Sequence, residues 1–157
     1  MKTPSEIKKI LDQHEQKRPF SCFQSAVEMV LRLNEVIAQD EYPEQSVDAN
    51  DGRGYEPFSG KTKQYGRVAV CFEEIKFDPF GNAVDKGREL LEDGLYPIYS
   101  FEWPSGGFHG FVAFTNETGG ISFFTKTKLG VVTADRYELN DVLPQKKTEI
   151  LVVRVLP

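Results

Sequence analysis

A chain of 157 residues, 39% hydrophobic and 27% charged, has the size of one domain, 1–157, and can bury a core without disulfide staples. Its net charge of −5 argues against a nucleic-acid partner, which calls for clustered Lys and Arg. No apolar run approaches a membrane span and no secretory h-region opens the chain. Two cysteines are too few for a disulfide framework, so a cytoplasmic setting without membrane contact is expected.

In chain order, Thr3-Pro4-Ser5-Glu6 is a capping box with Pro at the first helical position. With Ile7, Ile10 and Leu11 on one stripe it predicts a helix from 4 to about 13. The polar stretch 13–20 ends near Pro19 and reads as a loop. From Phe23 the apolar spacing through Ala26, Val27, Val30, Leu31 and Ile37 predicts a long amphipathic helix that opens at Cys22 and fades near 39. Residues 40–66 are rich in Gly, Pro, Asp and Asn and read as a long loop bordering a groove. Residues 68–72 look like a short buried strand holding Cys71.

Asn82 can cap a helix over 82–93 that stops at Gly94 in the left-handed region. The periodicity then changes to two. Runs at 95–103, 109–115, 121–127 and 149–156 predict strands, with a short extra strand at 130–133. Residues 135–142 predict one or two helical turns. Asn116-Glu117-Thr118-Gly119-Gly120 forms a five-residue hairpin loop, which sets Thr115 opposite Ile121 and, by extension, His109 opposite Thr127 with Thr125 diagonal. Helices first and strands later predict an α+β domain in which the N-terminal central helix packs on a C-terminal antiparallel sheet.

A cysteine in the first turn of a buried helix is a candidate nucleophile, because unpaired N–H groups and the helix dipole favour the thiolate there. A lone cysteine is otherwise most simply a small buried hydrophobe, and Cys71 is read that way. Cys22 has company: Gln16 stands six residues upstream, and Gly106-Gly107-Phe108-His109-Gly110-Phe111 follows far downstream. A Gln, five residues and a Cys opening a helix, then a glycine-rich turn and a His opening a strand, resembles the papain-like cysteine peptidases. The lead-in Gly94-Leu95-Tyr96-Pro97 is similar to the bacterial double-glycine-leader peptidase-like branch. The resemblance covers about the first 35 residues and then 85–130.

It implies a papain-like fold and a cysteine protease or related thiol hydrolase that cleaves a peptide or other amide bond, with a peptide or protein as substrate. Cys22 would be the nucleophile, His109 the base, and the Gln16 amide an oxyanion donor. The family places Asn or Asp on the next strand to orient the imidazole. Here that position falls to Thr127, with Thr125 or Asp135 as alternatives; a threonine hydroxyl accepts a hydrogen bond but brings no charge. The missing Asn or Asp keeps a second reading open, a weak or inactive module of the same fold that binds a peptide or partner protein. No cofactor and no metal is expected. His14, Cys22 and His109 follow no zinc spacing, and Asp48, Asp51 and Glu56 lack the EF-hand ligand order.

Overall fold

A computed structural model describes residues 2–17, 22–45, 55–77, 80–102, 108–126, 133–142 and 147–157. Helix α1 (Pro4–Asp12) starts as its capping box requires: the Thr3 side chain accepts the Glu6 N–H at 3.2 Å, and Ile7 and Leu11 point into the core. Helix α2 (Cys22–Leu33) begins at Cys22 but ends well short of 39. Glu35 turns into the left-handed region at φ 59° and the Val36 N–H reaches back to the Leu31 carbonyl at 2.8 Å, which closes the helix. Ile37 is buried from the turn that follows, not from the helix.

The segment read as a loop contains a hairpin. Strands β1 (Thr62–Tyr65) and β2 (Val68–Phe77) pair antiparallel around Gly66 and Arg67, so β2 is twice the length expected of it. The described remainder of 40–66 is packed rather than loose, with Glu44, Gln45, Tyr55, Phe58 and Tyr65 all buried. Residues 46–54, including Asp48 and Asp51, lie outside the described residues.

Helix α3 (Phe80–Glu92) ends as expected at Gly94, φ 83°, where the Leu95 N–H bonds the Leu90 carbonyl at 3.0 Å. Strands β3 (Ile98–Glu102), β4 (Phe108–Thr115) and β5 (Ile121–Thr125) follow. The β4–β5 hairpin has the expected register, Thr115 opposite Ile121, and Asn116 Oδ1 accepts the Thr118 and Gly120 N–H groups inside its loop. The stretch 135–142 divides: strand β6 (Asp135–Glu138) pairs with β5, and only Leu139–Val142 forms a helical turn, α4. The four-residue β6 was missed because its alternation is too short to distinguish from a helical turn. The expected strand at 130–133 falls almost wholly outside the described residues.

The last strand, β7 (Lys147–Val155), is inserted in the middle of the sheet, giving the order β1-β2-β7-β3-β4-β5-β6 with every pairing antiparallel. The domain is therefore α+β, with four helices and a seven-stranded antiparallel sheet among the described residues. Side-chain alternation assigns the two faces. Tyr99, Phe101, Phe111 and Phe123 form an aromatic layer on one face, with ring centroids 4.9–5.7 Å apart, and the Tyr99 hydroxyl reaches the Ala83 carbonyl of α3. Helix α2 covers the opposite face, where Ala26 meets Gly110.

Because α1 and the 40–45 segment cover its outer side, α2 is dry all round. Its polar residues are buried too: Glu28 is 0% exposed and Arg32 3%. Each needs internal partners. The Glu28 carboxylate accepts the Glu44 N–H at 2.9 Å, the Gln45 N–H at 3.3 Å and the Gln45 side-chain amide at 2.6 Å. Arg32 donates to His14 Nδ1 at 3.0 Å and to the Gln39 and Glu41 carbonyls, and its guanidinium stacks on the Tyr42 ring. Since Arg32 is only a donor, Nδ1 must accept. The His14 proton therefore sits on Nε2, which donates to Ser25 Oγ.

Burial, aided by the nearby Arg32, Lys126 and Lys17 charges, pushes His14 down to about 3 from its usual 6.5. Between those values the unfolded chain binds a proton at His14 that the folded chain refuses. Stability is therefore full above 6.5 and falls as pH drops through the window. Glu28 is shifted upward, chiefly by burial, and so opposes part of this trend at lower pH. Urea unfolding of the wild type should lose about 2 kcal/mol between pH 7 and pH 5 relative to His14→Gln. Parallel pH curves for the two proteins would show that His14 titrates freely.

Candidate active site

Cys22 opens α2 and is half-buried, its helix start pressed against β4. The contact suits a residue without a side chain. A Cβ at Gly110 would lie 3.1 Å from the Ala26 Cβ and 3.4 Å from the Cys22 carbonyl oxygen, so a side chain there would push helix and strand apart by a few tenths of an ångström. The backbone N–H groups of Gly110, Phe23 and Cys22 itself lie near the thiol and favour its thiolate.

Gly110 follows His109 in β4, so the start of α2 packs on the strand that carries His109. His109 is the second residue of β4, directly opposite Phe101, and is exposed. By alternation Gly110, and not His109, takes the position facing α2. The His109 side chain is therefore directed to the face opposite α2, the face of the aromatic layer that holds its cross-strand neighbour Phe101.

The thiol itself departs from expectation. A helix start was expected to lower its pKa; burial instead raises it above the usual value, and the three N–H groups offset only part of that. The resting group is a thiol. Cys71 is half-buried in β2.

The other candidates separate. Gln16 is buried at 4% exposure, in the stretch pinned to α2 by Gln45, which donates to the Glu15 carbonyl at 3.1 Å and accepts the Lys17 N–H at 2.7 Å. Thr127 lies outside the described residues, as do Pro19, Ser21, Gly106 and Gly107. Thr125 is buried, but its hydroxyl donates to the Gly110 carbonyl at 2.9 Å, so it is committed to the backbone beside His109. Asp135 pairs with Thr125 on β6, two strands from β4, and is exposed. It is not folded back over His109. Among the described residues no group of three His, Cys, Asp or Glu side chains is placed to hold a metal ion.

Two residues escaped sequence reasoning. Gly110 looked like an ordinary strand residue, although glycine inside a strand is itself a sign of close backbone approach. Lys126 had no sequence signal at all. It is 2% exposed, and its ammonium caps the end of α1 by donating to the Leu11 and Asp12 carbonyls at 3.3 and 2.6 Å. Its own carbonyl accepts the Ser25 hydroxyl at 3.5 Å, joining α1, α2 and the end of β5.

No family model matches the chain, and neither does any curated protein. Among the described residues no helix is long and apolar enough to cross a membrane.

A buried thiol reacts only through its small thiolate fraction. Iodoacetamide alkylation of Cys22 should therefore climb about tenfold per pH unit from pH 6.5 to 8.5, without a plateau. A plateau below pH 8 would reveal a preformed thiolate–imidazolium pair and overturn the resting-thiol assignment.

Proposed function

We propose that the protein is a papain-like thiol hydrolase acting on a peptide or other amide bond, with Cys22 as nucleophile and His109 as base. The observation that carries this reading is the close packing of the start of α2, with Cys22, on β4 at Gly110, the residue after His109, where backbone N–H groups favour the thiolate. Such donors favour the thiolate once it forms and cost no reorganisation. The order Gln16, Cys22, His109 and the antiparallel sheet under the nucleophile helix support the same reading.

In the reaction His109 takes the thiol proton as Cys22 attacks the substrate carbonyl. Charge on the tetrahedral oxygen falls to the Gln16 amide and to backbone N–H at the helix start. The carbon–nitrogen bond then breaks, the imidazolium proton passes to the departing amine, and a Cys22 thioester remains. Water, deprotonated by His109, attacks the thioester and releases the acid and the free thiol. Because burial holds the resting group as thiol, turnover begins only when substrate or its contacts bring the imidazole onto the sulfur.

A second reading, a non-catalytic module of the same fold that binds a peptide or partner protein, is favoured by one specific observation. The Thr125 hydroxyl is committed to a backbone carbonyl and Asp135 stands apart, so neither orients the imidazole.

The two readings part on covalent chemistry. A peptide p-nitrophenyl ester and a peptide amide should both acylate Cys22, detected by intact mass and peptide mapping. Amide turnover should be slow, and should fall by about 10²-fold or more in His109→Ala. Thr127→Asn, which supplies the amide orienter of the family, should raise acylation by roughly one order of magnitude. If neither ester nor amide acylates Cys22 in any variant, the enzyme reading fails and the binding module stands.

A further inference from the structure

Residues 14–17 belong to no helix or strand, yet Gln16 is buried between the exposed Glu15 and Lys17. Regular structure therefore does not set the direction of this residue. A side chain does. The Gln45 amide accepts the Lys17 N–H at 2.7 Å and donates to the Glu15 carbonyl at 3.1 Å. A backbone N–H only donates and a carbonyl only accepts, so these partners also fix which end of the amide is oxygen and which is nitrogen. The two backbone groups belong to the peptide units on either side of the Gln16 Cα. Peptide units are planar, and one planar amide bonded to both holds their relative orientation, which is the φ and ψ of Gln16.

The clamp is itself mounted on α2. The second N–H of the Gln45 side chain goes to Glu28 Oε1 at 2.6 Å, and the Gln45 and Glu44 backbone N–H groups go to Glu28 Oε2 at 3.3 and 2.9 Å. Gln45 and Glu28 are both buried, which shields these bonds from competing water. The His14 ring, just before Gln16 in the chain, is fastened to Ser25 and Arg32 of the same helix. Ser25, Glu28 and Arg32 share one stripe of α2, and Cys22 stands one turn before Ser25.

We propose that Gln45 is a positioning residue for the oxyanion donor: its amide fixes the backbone of Gln16 and ties it, through Glu28, to the helix that carries Cys22. A donor helps most when it already lies where charge develops on the tetrahedral oxygen, since one that must first rotate into place gives back part of its gain as reorganisation. A misplacement of about 1 Å is enough to cost about 10²-fold. A stretch without secondary structure is poorly suited to such precision, and Gln45 supplies what a strand ladder supplies elsewhere. Gln45 touches neither substrate nor the reacting atoms. The inference rests on the reading of Cys22 as nucleophile and Gln16 as oxyanion donor.

The test compares two reactions of Cys22 in the full-length protein, each located by peptide mapping. Acylation by a peptide p-nitrophenyl ester passes through a tetrahedral oxyanion; alkylation by iodoacetamide displaces iodide at a saturated carbon and forms none. Gln45→Met keeps the length of the side chain and removes the clamp. It should slow acylation by about tenfold, in the maximal rate and not in the half-saturating ester concentration, and leave alkylation at pH 7 within about twofold of wild type. Gln16→Ala should slow acylation by about 10²-fold, and adding Gln45→Met to it should cost no more than about a further twofold, because the two act as one unit. Acylation of Gln45→Met at the wild-type rate overturns the proposal. So does a parallel fall in acylation and alkylation, or an equal effect of Gln45→Met with and without Gln16, since a residue that merely supports α2 gives those results.

Should Gln45→Met fail to fold, the wild type decides. Its Lys17 amide, outside any helix or strand, should exchange with deuterium at least about tenfold more slowly than in an unstructured chain. Exchange at the unstructured rate means that no clamp is present and overturns the proposal. A wild type that the ester does not acylate at Cys22 removes the hydrolase reading and the positioning role with it. A wild type that is acylated no faster than Gln45→Met removes the positioning role alone.

Discussion

Burial of α2 on every side is the constraint on which the rest of the fold depends. A helix against a sheet ordinarily keeps one face in water, and α2 carries the Glu28 and Arg32 that such a face would need. In this protein α1 and the 40–45 segment close over that face, so a carboxylate and a guanidinium end up in the interior. An unpartnered buried charge costs several kcal/mol, whereas a fully hydrogen-bonded one is roughly neutral. The chain meets most of that demand, all but the buried Arg32 Nε, with backbone and amide groups: Gln45 and Glu44 on Glu28, the carbonyls of Gln39 and Glu41 on Arg32, and a neutral His14 between Arg32 and Ser25. These bonds fix the path of the chain on both sides of the helix, and with it the buried position of Gln16.

The same rigidity reaches the sulfur. Ser25 and Ala26 lie on the turn of α2 after Cys22; one bonds the Lys126 carbonyl and the other touches Gly110. Lys126 is in turn anchored to the end of α1. The start of α2 is therefore held by α1, by the end of β5 and by β4 at once. A loop-borne cysteine would have none of these restraints. Placement on packed elements keeps the surroundings of the thiol fixed.

Much of the fold was legible in the sequence, for reasons that differ along the chain. The capping box at Thr3, the left-handed stop at Gly94 and the five-residue hairpin at Asn116 are local chemistry, and each lies where its residues demand. What escaped was decided at a distance. Helix α2 ends at Leu33 although its apolar spacing continues to Ile37, because the turn at Glu35 bends the chain back and buries Ile37 from outside the helix. Residues 62–65 are too polar to read as a strand, and they form one only because β2 offers an edge. At the site, the pairing of Cys22 with the strand that carries His109 could be anticipated from the order of motifs. The close approach at Gly110 could not, since it is set by how α2 lies on the sheet.

The thiol also shows how two opposing effects are settled by magnitude. A helix start and three N–H groups favour the thiolate, and on position alone Cys22 would be expected to ionise readily. Burial acts the other way and is the larger effect, so the resting group stays protonated. The N–H groups reduce the cost of forming the anion without reversing that balance. The balance is set where α2 lies closest to β4, at Gly110, since that packing both withdraws the thiol from water and brings backbone N–H groups near it.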